Sequence, residues 1–436
     1  MLFNYVLGVS LSKNSEHTKV NKKTLLTVGI VLNIVLLGYF KYTDFFIENI
    51  NLLVNGHIPL LHLALPLAIS FFTFQQIAYL VDSYREETKE YDFLNYANFV
   101  TFFPQLIAGP IVHHKEMMSQ FTTNRNKIIN YKNIALGLFI FSIGLFKKVV
   151  IADTFAVWAT AGFGTAETLN LLEAWATSLS YTFQLYFDFS GYADMAIGAA
   201  LLFNIKLPIN FNSPYKATNI QDFWRRWHIT LSRFLRDYIY IPLGGNRKGN
   251  FRLYSNLMTT FILGGIWHGA GWTFVFWGFL HGMALVIQKV WNQLGLRMNT
   301  VLAWFITFNF VNIAWIFFRA KEWSDAIKVL SSMFNLNNII LAEKFTETLS
   351  FLSEYGVIFA SVTEHIGDSS KVLNWLLGGF IIILLFKNSN QKTVSLTSSN
   401  LKTLTKVHAV YYAILFMFSI LYMSMSTYTE FIYFNF

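Results

Sequence analysis

Apolar runs long enough to cross a bilayer recur along most of this chain, and nothing else in the sequence constrains its fold so strongly. A helix needs about 20 predominantly apolar residues to span about 30 Å of hydrocarbon. Runs near that length are Thr24–Phe40, Ile58–Val81, Ile134–Ala152, Thr300–Phe318, Val372–Phe386 and Val407–Met425. Leu172–Leu207 has room for two short passes with a break near Ser190–Gly191, and Leu257–Val290 is broken by the glycine-rich stretch Gly264–Gly271. Ala97–Val112 is short and interrupted by Pro104, Gly109 and Pro110. It reads as a span or as a re-entrant segment, because irregular backbone at membrane depth persists only where protein surrounds it. The expected fold is all-α: a polytopic transmembrane bundle of about ten membrane segments, some broken or re-entrant, with residues 1–436 in a single membrane-embedded domain.

Composition agrees. Only 13% of the 436 residues are charged and 54% are hydrophobic, whereas a soluble domain carries about 25% charge and could not cover its surface with half of that. The 45 Phe, 21 Tyr and 12 Trp are residues that pack in lipid or sit at its interfaces, so lipid is the first expected partner. Cysteine is absent, which excludes disulfides, Cys-ligated zinc, iron–sulfur clusters and a protein thiolate nucleophile. No repeat period emerges, and Met1–Ser12 lacks the basic start of a signal peptide. The net charge of +9 fits basic residues gathered in cytoplasmic loops, and no nucleic-acid-binding module appears, so nucleic acid is not an expected partner.

Loop charge orients the chain. Residues 204–254 hold nine Lys/Arg against two Asp, and 387–406 hold four Lys with no acid. Both are expected on the cytoplasmic side, the first as a basic helix and loop and the second as a loop. Residues 321–370 then face the opposite side, and the last span delivers Glu430–Phe436 there too.

Three segments carry chemistry. On a helical wheel, Gln221–Ile241 places Arg225, Arg226, Arg233 and Arg236 within an arc of about 100°, opposite Phe223, Trp224, Trp227, His228 and Phe234. Such a helix at the membrane boundary would meet lipid phosphates or an anionic donor with its arginines. His228 falls on the apolar side, as a functional group or as a hydrogen-bonded structural histidine. Gly264–Gly282, GGIWHGAGWTFVFWGFLHG, sets His268 and His281 in an uncharged, Trp-rich stretch. Ionisable groups at that depth are functional candidates, and an uncharged imidazole can take a proton from a hydroxyl. The rival reading is that His268 only bonds a neighbouring carbonyl; His281, about 140° round the helix, reads as structural.

In Tyr186–Gly198, Asp188 and Asp194 are six residues apart, about 240° on a helix, so they share a face only if Ser190–Gly191 breaks it. Each otherwise anchors neighbouring NH groups or an arginine. His113-His114 reads as a loop pair, since no ligand spacing completes a metal site. GxSxG, Walker A and GxGxxG motifs are also missing from the sequence.

Ser70–Tyr84 (SFFTFQQIAYLVDSY), Phe103–Ile111 (FPQLIAGPI), Gly144–Asp153 (GLFKKVVIAD), Gln184–Gly198, Asp222–Gly249 and Gly264–Gly282, taken in order, resemble the membrane-bound O-acyltransferase family, in its bacterial branch that O-acetylates alginate and peptidoglycan. The resemblance implies a central tunnel lined by His268, the catalytic base in the WHG context, and by His228, the second histidine in the RWH context. It further implies donor or tunnel contacts at Trp224, Arg225, Arg226, Asp188 and Trp267. The tail FIYFNF resembles one shared by this branch and a small partner of teichoic-acid D-alanylation, which makes Tyr433 a candidate acyl relay.

By the same resemblance the donor is acetyl-CoA or a similar acyl thioester, with no tightly bound cofactor and no metal. The implied location is the bacterial cytoplasmic membrane with a periplasmic C-terminus, and the implied partner is a periplasmic acetyltransferase or esterase-like protein that modifies an exported polysaccharide. Relatives of this branch carry about two further hydrophobic segments before the stretch resembling Phe3–Gly8, so N-terminal helices are expected to be missing here. Two other classes remain open from the residues alone. A secondary transporter would usually show paired half-repeats, which the sequence lacks; a non-catalytic envelope scaffold would also fit the aromatic richness.

Overall fold

A computed structural model of the chain describes residues 1–12, 21–88, 92–107, 109–337, 339–398 and 406–426. The helices begin with α1 (Leu2–Ser12), α2 (Lys22–Val54), α3 (Ile69–Tyr84), α4 (Phe93–Thr101), α5 (Phe103–Leu106) and α6 (His114–Phe121). Next come α7 (Tyr131–Phe146), α8 (Asp153–Thr160), α9 (Leu171–Leu202), α10 (Ile220–Arg226), α11 (Ile229–Leu235), α12 (Gly249–His268), α13 (Trp272–Gln293), α14 (Thr300–Arg319) and α15 (Trp323–Met333). Two three-residue strands, β1 (Ile340–Ala342) and β2 (Ile358–Ala360), pair in parallel with Ile340 opposite Ile358, flanking α16 (Thr346–Leu349). The chain then forms α17 (Ser369–Leu385), α18 (Ser389–Ser398) and α19 (Lys406–Met425). Among the described residues, four helical stretches are long and apolar enough to cross a membrane: Lys22–Val54, Tyr131–Thr165, Trp272–Gln293 and Thr300–Arg319. With the shorter apolar helices Leu2–Ser12, Ser369–Leu385 and Ala409–Met425, this is a multi-pass, all-α membrane architecture.

The centre of the bundle is α9, started by a capping box in which the Asn170 side chain accepts from the Glu173 amide and the Glu173 carboxylate accepts from the Asn170 amide. The sequence suggested a break at Ser190–Gly191; α9 runs through it without one. Gly191 serves close approach instead. A Cβ on Gly191 would sit 2.7 Å from the Gly144 carbonyl oxygen, and one on Gly198 would sit 2.6 Å from that of Gly137. Two glycine pairs, seven residues apart on each of α7 and α9, thus press the two backbones together, as small residues do between membrane helices.

A π-helical stretch, Lys147–Ala152, joins α7 to α8 and turns successive lysines onto α9. Lys147 pairs with Asp194 at 2.6 Å; Lys148 pairs with Asp153 and lies 3.0 Å from Asp188. The two aspartates keep separate faces, as their spacing requires, and lysines rather than an arginine meet them.

Three further expectations change. Ile58–Val81 is irregular as far as Ala68, with left-handed backbone at His62 and Ala68, and helical only from Ile69. The basic segment is two short helices, because His228 takes a left-handed conformation between α10 and α11. Residues 387–406 include α18. His113 and His114 are also more than loop residues: His113 precedes the first turn of α6 and its Nδ1 faces the Tyr238 hydroxyl at 2.9 Å, while His114 opens α6 and is buried.

Candidate active site

His268 is the last residue of α12. The helix stops there because Gly269 is extended and the chain reverses at once into α13, which starts at Trp272. The reversal is tight: a Cβ on Gly269 would lie 2.1 Å from the Phe274 ring, and Gly265 and Gly278 bring the two helices together. The expected break in Gly264–Gly271 is therefore this hairpin.

A helix end leaves carbonyls without intrahelical donors, and a cation there is favourable. Lys41 of α2 supplies it, its Nζ donating to the carbonyls of Trp267 at 2.7 Å and His268 at 2.9 Å. Tyr42 beside it donates to the Ile266 carbonyl. The Trp267 ring stacks on Phe74 of α3 at 4.6 Å, and Phe74 stacks in turn on Phe234 of α11 at 4.0 Å. Three helices therefore fix the end of α12.

The His268 ring packs edge-on against Trp267, Trp277 and Phe318, with centroids 4.8, 5.1 and 4.9 Å away. Its Nδ1 is buried with no hydrogen-bond partner among the described residues. On one side it borders a cavity of about 120 Å³, walled by Lys41, Pro66, Ser70, Phe71 and Trp267 among others. A second cavity, of about 310 Å³, shares Lys41 and Leu65 with the first and reaches Asp44 and Gly269.

His228 is fully buried and is not part of the first cavity's wall. Phe71 is, and the Phe71 ring also stacks on the His228 imidazole at 6.5 Å. The implied tunnel lined by both histidines is thus, on this geometry, a cavity at His268 with Phe71 set against His228. The His228 backbone, at φ 42° and ψ 55°, is a conformation that a non-glycine residue holds only when its surroundings enforce it. Asn210 does so. Its Oδ1 accepts from the Thr230 amide at 3.2 Å and the Thr230 hydroxyl at 2.9 Å, and lies 3.1 Å from His228 Nδ1; its carbonyl accepts from the Ile229 amide.

The remaining candidates are dispersed. Trp224 is buried and donates its Nε1 hydrogen to His281 Nδ1 at 3.2 Å, so that pair is tied together within the α10–α13 packing. Arg225 is exposed; Arg226 holds Asp222, Arg233 holds Glu116 and Arg236 holds Asp237, so most of the basic arc is neutralised. Asp188 is buried beside Lys148. Tyr433 lies outside the described residues. No group of three or more His, Asp or Glu that could hold a metal ion occurs among the described residues.

The sequence reading missed Lys41 and Ser70. The apolar run Thr24–Phe40 was ended one residue short of the lysine, whereas α2 continues to Val54. A single cation inside a long apolar helix was the available signal.

A family model for the membrane-bound O-acyltransferase family matches residues 60–321. The chain is 50% identical to the peptidoglycan O-acetyltransferase of Helicobacter pylori, covering 100% of this chain and 86% of that protein. It is 41% identical to the probable alginate O-acetylase AlgI of Pseudomonas aeruginosa, over 78% of this chain and 66% of the relative. A teichoic acid D-alanyltransferase of Streptococcus thermophilus is 27% identical over 61% of this chain and 70% of its own length.

Proposed function

The chain belongs to the membrane-bound O-acyltransferase family, and from that premise we propose that this O-acyltransferase moves an acetyl group from cytosolic acetyl-CoA toward peptidoglycan outside the cytoplasmic membrane, with His268 as the base. The observation that carries the reading is the place of His268, an imidazole on the wall of a cavity with one ring nitrogen uncommitted. The higher identity and fuller coverage of the peptidoglycan relative support that polymer over alginate.

The transfer needs a hydroxyl, a base and a thioester in one chamber. His268 takes the proton of the acceptor hydroxyl, and the oxygen forms its bond to the acyl carbon. The carbonyl π pair moves onto oxygen; when it returns, the C–S bond breaks and the leaving thiolate takes the proton from His268. The acceptor is Tyr433 in the C-terminal tail or a hydroxyl on a periplasmic partner, which passes the acyl group to the polymer. Arg225, exposed on the basic arc, draws the donor's phosphates to the cytoplasmic face, and His228, held by Asn210, supports the chamber through Phe71.

Proteoliposomes given radiolabelled acetyl-CoA and muropeptide test this. His268→Ala is expected to lower label transfer by roughly 10²–10⁴-fold, and Tyr433→Phe to remove label from the protein. Full transfer by His268→Ala would refute the reading.

A further inference from the structure

Oxyanion stabilisation is often the largest single contribution to acyl transfer, and the reading above leaves its donor unassigned. Lys41 is placed for it. The residue lies outside the 60–321 span that the family model matches, on an apolar helix where an ammonium is expensive unless it has work to do. Asp44, three residues on, does not neutralise it. The Asp44 carboxylate accepts from the amides of Leu61 at 2.7 Å and His62 at 2.9 Å, and no carboxylate pairs with Lys41 among the described residues.

An ammonium has three hydrogens. Two go to the Trp267 and His268 carbonyls; the third has a long, 3.4 Å contact with the Ser70 hydroxyl, on the wall of the cavity that His268 also lines, and the Trp267 ring lies 6.0 Å from the ammonium. While the substrate carbonyl is neutral, that third hydrogen has no anion to meet. Once the acceptor oxygen attacks, a full negative charge appears on the carbonyl oxygen, beside buried side chains such as His268 and Trp267 that screen it less than bulk water does. An interaction that strengthens in this way lowers the barrier without tightening the ground state.

We propose that Lys41 is a further catalytic residue of the transfer, its ammonium donating a hydrogen bond to the oxyanion of the tetrahedral intermediate while His268 holds the acceptor's proton. The proposal rests on His268 acting as base. The step uses Lys41 as the ammonium and neither adds nor removes a proton from it, so it balances as written above. Its grip on the α12 carbonyls serves the same end, fixing the cation and the imidazole to one another.

The test uses the full chain in proteoliposomes. Because the chain has no cysteine, a thiol reagent reads only the CoA released. Lys41→Met is expected to lower the transfer rate constant by roughly 10²–10³-fold with the KM for acetyl-CoA within about two-fold, and Lys41→Arg to restore at least about tenfold of the loss. A merely structural lysine would not affect the second readout, binding of trifluoroacetonyl-CoA, which forms a tetrahedral oxyanion mimic, relative to acetonyl-CoA. The wild type should prefer the former by about 10²-fold or more, and both Lys41→Met and Lys41→Gln should lose most of that preference. Lys41→Gln retains a donor for the α12 carbonyls and serves if Lys41→Met does not fold. An unchanged preference in either variant, with His268→Ala inactive, overturns the role of Lys41 alone; an active His268→Ala overturns the base on which it rests.

Discussion

Half-buried lysines at two places in this bundle are treated oppositely. Between α7 and α9, Lys147 and Lys148 each have a carboxylate within 3.0 Å, even though Lys147 also borders a cavity of about 250 Å³. Where α2 and α3 meet the end of α12, Lys41 has carbonyls and a distant hydroxyl, and a cavity remains beside it. Burial alone therefore does not mark a working group in a membrane protein. What marks it is a charge or a ring nitrogen left without a full complement of partners next to open space, because the stable alternative is to pair the charge and pack the void.

The sharpest way to break the comparison is to unpair the paired region. Lys148→Met leaves the Asp153 and Asp188 carboxylates, 4% and 1% exposed, without their cation. Removing one member of a buried pair costs about 3–5 kcal/mol. Thermal unfolding in detergent should register that loss, while the transfer rate per folded molecule stays near wild type. A variant as stable as wild type but impaired in transfer would put Lys148 in the working region and dissolve the distinction.

Next in size is the backbone contact. Gly191→Ala sets a methyl against the Gly144 carbonyl, a backbone atom that cannot turn aside, and overpacking of this kind costs about 1–3 kcal/mol. Gly38→Ala in α2 is the control. Nothing lies within 4 Å of its added Cβ, so the helix should gain slightly, by up to about 1 kcal/mol. Equal thermal midpoints for the two variants would mean that α7 and α9 are not held by this contact.

These cases also show what a single chain can reveal of itself. Hydropathy made the helical membrane architecture legible, since backbone groups in lipid leave few other options. The hairpin at His268 was legible because four glycines within eight residues rarely continue a helix. Gly191 misled for the same reason: a glycine that breaks a helix and a glycine that lets another helix approach look alike until the partner, here Gly144, is known. The His228 turn was hidden because QDFWRRWHITLSRFL has a good helical period, and the residue that overrides it, Asn210, is 18 positions away. Lys41 was hidden by distance too, since its contacts with α12 are 226 and 227 residues off along the chain. Residue types announced the chemistry; long-range contacts decided which of them stand beside the cavity.

The smallest predicted effect tests whether burial sets the scale of these pairings. Arg233 grips Glu116 with two hydrogen bonds, at 2.7 and 3.1 Å, a better geometry than many buried pairs have. Yet both side chains are partly exposed, at 27% and 43%, so water and salt compete for them. Exposed pairs of this kind contribute about 0–1 kcal/mol, and less as salt rises. Glu116→Gln should therefore shift the thermal midpoint barely, and the difference from wild type should vanish in about 1 M salt, where the screening length falls to about 3 Å. A loss as large as that of Lys148→Met, persisting in salt, would show that geometry outranks burial here. The contrast between the paired core and the open end of α12 would then have to rest on the missing carboxylate at Lys41 alone.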